Sequence, residues 1–106
     1  MKLKLYNKTY DVAPFKSTYV NNKTLAVLLE ERDGNPFATL TVNIEASNTL
    51  ANHEYAFVDT NNCPWAEEFI KENNLGTPMG FTGFSGFCEY PLYKFNTELM
   101  KDVERY

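Results

Sequence analysis

Few residues in this chain carry chemistry, and their spacing limits what they can do. The single histidine, His53, lies in the polar segment 45–53 with no Cys or Asp at metal-ligand spacing. Zinc needs about four converging ligands, usually in paired short spacings, so His53 is expected to be a solvated loop residue. Cys63 precedes a helix start, where the helix dipole lowers a thiol pKa. A nucleophile also needs a base and an oxyanion site, and His53 is the one imidazole available. Cys63 is therefore read as a cap or semi-buried residue. Glu30-Glu31 and Glu67-Glu68 are adjacent carboxylates. Neighbours on a strand point to opposite faces, and neighbours on a helix diverge by about 100°. Neither pair converges by itself for acid–base work. The glycines of Gly80-Phe81-Thr82-Gly83-Phe84-Ser85-Gly86-Phe87 resemble a phosphate loop only superficially, since no Lys-Ser/Thr follows them. No catalytic residue, metal ligand or cofactor is assigned. The chain reads as a binding module, not an enzyme.

The bulk properties agree with a domain built to fold. The 106 residues suit a single domain over 1–106, with 43% hydrophobic and 23% charged residues. Aromatics reach 15%, and large rings let a small domain bury more area per ordered residue. The formal net charge is −4, and acids are interleaved with lysines. A basic patch, the usual mark of direct nucleic-acid binding, is lacking, and so are the acidic runs of a DNA mimic. No segment approaches the roughly 18 apolar residues of a membrane span, and the first residues show no signal core. Two widely separated cysteines fit reduced thiols in a cytoplasmic protein.

Patterning then supplies the elements. Lys2–Tyr6 alternates charged and apolar residues, and Thr9–Phe15 follows after a turn, so two short strands are expected there. Pro14 should lie near a strand end or edge. Leu25–Glu31 and Phe37–Ile44 flank the Gly-containing turn 32–36, which predicts a hairpin. Val27–Leu29 is apolar on both faces, as in a central strand covered on one side by a helix. Glu54–Val58 reads as a strand. Pro64 to Asn74 reads as an amphipathic helix burying Trp65, Phe69 and Ile70, with Asn73-Asn74 and Gly76 as its stop. Phe87–Phe95 is strand-like, its Pro91 pointing to an edge or bulge. Asn96 caps a short C-terminal helix with Leu99, Val103 and Tyr106 on one stripe. The fold class is α+β, a mostly antiparallel sheet of about five or six strands with one packed helix.

The Gly-Phe segment 80–87 is the most distinctive feature. The plainer expectation is that its rings plug the core while the glycines make tight turns. The functional one puts at least one of Phe81 and Phe84 on a surface loop as an anchor for a partner.

Three segments carry a resemblance: Met1–Tyr10, Asn35-Pro36-Phe37-Ala38-Thr39-Leu40-Thr41-Val42-Asn43, and Ser85–Phe95. Together they resemble a family of small domains of unknown function on conjugative elements and phages of Gram-positive and gut bacteria. That resemblance covers most of the chain and brings no catalytic residues. It implies a stoichiometric inhibitor of a host defence nuclease, of the anti-CRISPR or antirestriction type. The alternative is a structural or regulatory accessory protein of the element. Either way the expected partner is another protein, with no direct nucleic-acid or membrane contact. The expected contact residues are Glu30, Glu31 and Asp33 around the first hairpin, and Phe81 and Phe84 on the Gly-Phe segment.

Overall fold

A computed structural model describes residues 1–20, 23–44 and 53–103. Most of the loop expected over 45–53, and Tyr106 of the expected C-terminal stripe, lie outside these residues. Among them the chain forms strands β1 (Lys2–Leu5), β2 (Lys8–Thr18), β3 (Leu25–Glu31), β4 (Pro36–Thr39), β5 (Thr41–Val42) and β6 (Tyr55–Val58). Helix α1 (Ala66–Glu72), β7 (Gly76–Ser85), β8 (Cys88–Phe95) and β9 (Lys101–Asp102) follow. The α+β, mostly antiparallel reading holds, but the strands form two sheets. One has the order β1-β2-β3-β4 with β9 on β2, and the other the order β5-β6-β8-β7.

Local chemistry explains the first sheet. Tyr6 and Asn7, both at positive φ (51° and 65°), close the β1–β2 hairpin with Leu5 opposite Lys8. Two left-handed central residues are what a type I′ turn requires. Pro14 lies inside β2, not at its end. The Val12 N–H bonds the Met1 carbonyl, so the nitrogen of Pro14, two residues on, faces the same edge. There β1 pairing ends at Asp11 and β9 pairing begins at Phe15, so the missing N–H falls in a gap. β3 runs between β2 and β4, and it is buried from Leu25 to Glu30.

Leu40 joins the two sheets. Its N–H donates to the Val27 carbonyl of the first sheet, and its own carbonyl accepts from Asp59 N–H after β6. Next to it the Thr41 hydroxyl accepts from Val27 N–H at 3.1 Å and bonds the Tyr19 hydroxyl at 2.9 Å. The second expected strand is thus split into β4 and β5, one in each sheet.

The main core lies between the sheets and under α1. Leu25, Val27 and Leu29 share it with Ala56, Val58, Ala66, Phe69, Ile70, Tyr93 and Phe95. Full burial of each large apolar side chain stabilises by about 1.5–3 kcal/mol. Trp65 is half-buried and stands immediately before α1, linked edge-on to Phe37 (6.2 Å) and Phe69 (6.0 Å). The helix stops where expected: Asn74 takes φ 52°, and the Asn73 side-chain amide donates to the Phe69 carbonyl. Phe57, Tyr90, Leu92 and Ile44 form a second, smaller cluster. Alternation along β6 and β8 places it on the opposite face of that sheet from Ala56, Val58, Tyr93 and Phe95. The expected C-terminal helix is one 3-10 turn, Thr97–Leu99, because the chain then extends into β9 and pairs parallel with β2. Among the described residues no helix is long and apolar enough to cross a membrane.

Candidate protein-interaction surface

The Gly-Phe segment is a strand and its turn. β7 pairs with β8 in the register Thr82–Pro91, Gly83–Tyr90, Phe84–Glu89 and Ser85–Cys88, leaving Gly86-Phe87 as a two-residue turn. Gly86 takes φ 61°, the left-handed conformation that the first position of a type II′ turn demands. Closer to α1, Pro78 pairs with Tyr93, and the register shifts before Thr82. Met79, Gly80 and Phe81 therefore bulge opposite Leu92, with Gly80 at φ 80°. Pro91 belongs to a central strand, not an edge. It sits opposite the end of this bulge and past the last β6–β8 pair at Leu92, where its missing N–H costs no ladder bond.

This backbone decides where the rings go. Phe81, Phe84 and Phe87 are 57%, 61% and 108% exposed, which overturns the expectation that they plug the core. Phe81 projects from the bulge, Phe84 from the pleat and Phe87 from the turn. The inward position between them is Gly83, buried against the Phe57 ring. Exposed Glu89 stands directly across from Phe84. From Asn73 to Cys88 the chain carries no charged residue. Three exposed aromatic rings within this uncharged stretch are more than the scattered single apolar residues normal on a surface.

The acidic candidates fare differently. Glu30 is 7% exposed, on the face of β3 shared with Ala26 and Leu28, so it offers no open contact. Glu31 is half-buried and closes the β3–β4 turn through backbone bonds with Gly34 and Asn35. Asp33 is exposed, but its two carboxylate oxygens accept from the backbone and side-chain amides of Asn35 at 3.1 and 2.9 Å. Nearby, Asp11 meets Arg32 at 3.2 Å and Lys2 at 3.4 Å. Partial burial pushes the Asp11 carboxyl up, but the Lys2 and Arg32 charges outweigh it and hold the group below the usual carboxylate range. This end of the first sheet is of mixed charge. The turn belongs to the first sheet and the phenylalanines to an edge strand of the second.

Two other reactive groups, Cys63 and Tyr93, are engaged in the fold. Cys63 is 6% exposed, its thiol pointing at the Thr39 carbonyl. Burial, then the neighbouring Asp59 charge, pushes the thiol up to about 11, the opposite of helix-dipole activation. Both cysteines are free thiols. Burial raises the Tyr93 phenol above its ordinary value, and its hydroxyl donates to Glu67 at 2.7 Å. His53 lines a cavity of about 470 Å³ with Lys16, Ser17, Thr18 and Asp102. Among the described residues no group of three His, Cys, Asp or Glu side chains is placed to hold a metal.

Phe87 and Glu89 join this surface without standing among the contact residues expected from the sequence. The signal for Phe87 was the two-residue Gly86-Phe87 connection between β-prone runs, which leaves its second side chain on the outside of the turn. Glu89 becomes visible only once the register puts it across from Phe84.

No curated protein and no solved structure matches this chain. A family described as "Domain of unknown function (DUF4313)" matches residues 15–106. The match takes in the segments around Asn35–Asn43 and Ser85–Phe95, the Gly-Phe hairpin and the residues after Phe95, but not the opening Met1–Tyr10. With all but its first strand and part of its second inside the match, this chain belongs to that family of domains of unknown function.

Proposed function

We propose that this protein is a protein-binding module whose contact surface is the β7–β8 hairpin. The observation that carries the reading is the exposure of Phe81, Phe84 and Phe87 on one arm and turn of a hairpin, within a stretch from Asn73 to Cys88 that carries no charge. Large rigid rings lose little entropy on contact and bury much area, so such residues dominate interface energetics. Gly83 and Gly86 hold the rings outward through backbone geometry, and the surface is built before a partner arrives. A surface of three rings with a single carboxylate beside them suits assembly with another protein of a mobile element, the accessory role, better than it suits a basic DNA channel.

Inhibition of a host defence nuclease is the second reading. It draws on the net charge of −4 and on Glu89, an exposed carboxylate beside the Phe84 anchor. Charge would steer the encounter while the ring supplies affinity.

The test compares proteins captured by the wild-type chain with those captured by a Phe81→Ser/Phe84→Ser/Phe87→Ser variant of unchanged thermal unfolding. A partner held by both forms equally would end the hairpin reading. An acidic-surface variant, Glu89→Gln, separates the two roles. Weaker and less salt-dependent capture of a nuclease supports inhibition, and unchanged capture of an element protein supports the accessory role.

A further inference from the structure

Sheet edges expose unpaired backbone groups, and natural proteins guard them with brevity, charge or proline. Among the described residues, four of the five edge strands are guarded. β5 and β9 have two residues each, β1 carries Lys2 and Lys4 in a four-residue strand, and β4 is four residues long and opens with Pro36. β7 is different. It is the longest of the five at ten residues and has no charge, and no other described strand pairs with its outer side. Its one proline, Pro78, and its bulge lie toward α1, leaving Thr82–Ser85 regular and open.

The direction of the free backbone groups follows from the turn. Ser85 and Cys88 close a two-residue hairpin and so exchange hydrogen bonds, and antiparallel pairs alternate from there. Gly83 and Tyr90 are the next bonded pair, while Phe84–Glu89 and Thr82–Pro91 are not bonded to each other. The absent N–H of Pro91 agrees with this alternation. The N–H and C=O of Thr82 and Phe84 must then point away from β8.

We propose that the outer edge of β7 pairs antiparallel with β7 of a second copy of this chain, about a two-fold axis at Gly83. This deepens the reading of the hairpin as a binding surface and rests on it. The two-fold places Thr82 of each copy opposite Phe84 of the other, so all four outward N–H groups find carbonyl acceptors. It sets a β-branched side chain beside an aromatic ring in each pair, a favourable cross-strand combination. Gly83 meets Gly83 at the narrow, unbonded position. Self-pairing of identical edges brings like charges near one another wherever an edge carries them, and this edge carries none. Lysines would oppose the same pairing at β1. The result is a continuous eight-stranded sheet from two four-stranded ones.

Sedimentation of the purified full chain over a concentration series tests this, with amide hydrogen exchange as the local readout. A monomer–dimer equilibrium is expected, with the Thr82 and Phe84 amides gaining protection as concentration rises. Thr82→Pro removes only an outward N–H and should weaken dimerisation about tenfold or more. Phe84→Lys, at an exposed site, should do the same should the proline variant not fold. Tyr6→Ser, at the exposed β1–β2 turn, should leave the dimer intact. A chain monomeric at every concentration overturns the proposal, as does a dimer that Tyr6→Ser abolishes and Thr82→Pro does not. Capture of another protein by a strictly monomeric chain would refute self-pairing while leaving the binding-module reading in place.

Discussion

Gly83 lies against the ring of Phe57 so closely that a β-carbon on it would stand 2.8 Å from Cε1 and 3.0 Å from Cζ. Phe57 is itself fully buried in the smaller cluster and cannot swing aside. Gly83→Ala is therefore expected to destabilise by about 1–3 kcal/mol, the usual cost of overpacking a filled site. Urea unfolding checks this. Gly86→Ala meets no neighbour within 4 Å but must hold φ 61°, and should cost about 1–2 kcal/mol through backbone strain alone.

Replacing Phe81 and Phe84 by Ala should leave the midpoint of urea unfolding almost unmoved, since exposed side chains change stability by about 0.5 kcal/mol or less. Partner binding should weaken by several kcal/mol, given about 2 or more per anchoring ring. Titration calorimetry against a captured partner, with unfolding run in parallel, separates the two effects. Unfolding of the double variant with unchanged binding would show that the rings serve the core instead.

Thr41→Val tests the junction between the sheets. The substitution keeps the shape and deletes the oxygen that Val27 N–H and the Tyr19 hydroxyl both meet. Leaving a buried N–H unsatisfied costs about 1–3 kcal/mol, and chemical denaturation should show a loss of that size. A Thr41→Ser protein keeps the oxygen and should recover most of it.

Cys63 should resist thiol reagents in the folded protein. With its pKa near 11 in place of 9.0, the thiolate present around pH 8 falls about a hundredfold, and burial restricts access further. The buried neutral thiol is favoured by folding, so its stabilising contribution is present in full below pH 9 and is lost as pH rises toward 11. A timed Ellman assay, native against urea-unfolded, checks the protection. Cys63→Ser and His53→Ala proteins that fold stably should retain biological activity within a few-fold. Loss of activity in either would reveal chemistry at those residues.

The parts of the fold legible in sequence were those fixed by local patterns. Leu25–Leu29 announces a buried strand, Asp33-Gly34 a turn, and Trp65, Phe69 and Ile70 a helix face. The division into two sheets was not legible, because the run from Phe37 to Val42 reads as one strand. Only tertiary hydrogen bonds from Leu40 to Val27 and from Asp59 to Leu40 split it. The burial of Glu30 was hidden for the same reason, since it depends on what packs over β3. At the candidate surface, Phe residues three apart fit neither a strand nor a loop cleanly. The Met79–Phe81 bulge resets the alternation, so Phe81 and Phe84 both end outside. A bulge of that kind is set by pairing with β8 and leaves little trace in β7 itself. Asn96 promised a helix, and the pairing of Lys101-Asp102 with β2 allows only one turn of it.

Leu40 gives the molecule a property neither sheet has alone. With its N–H committed to one sheet and its carbonyl to the other, peeling either sheet away breaks a bond at the same residue. The side chain is wholly enclosed in the shared core, so it loses packing from both sides at once. Fraying of one layer thus propagates to its neighbour, and the chain should melt in a single sigmoidal transition. The Leu40 amide proton should then exchange only as fast as the whole molecule opens, reporting global unfolding from one position.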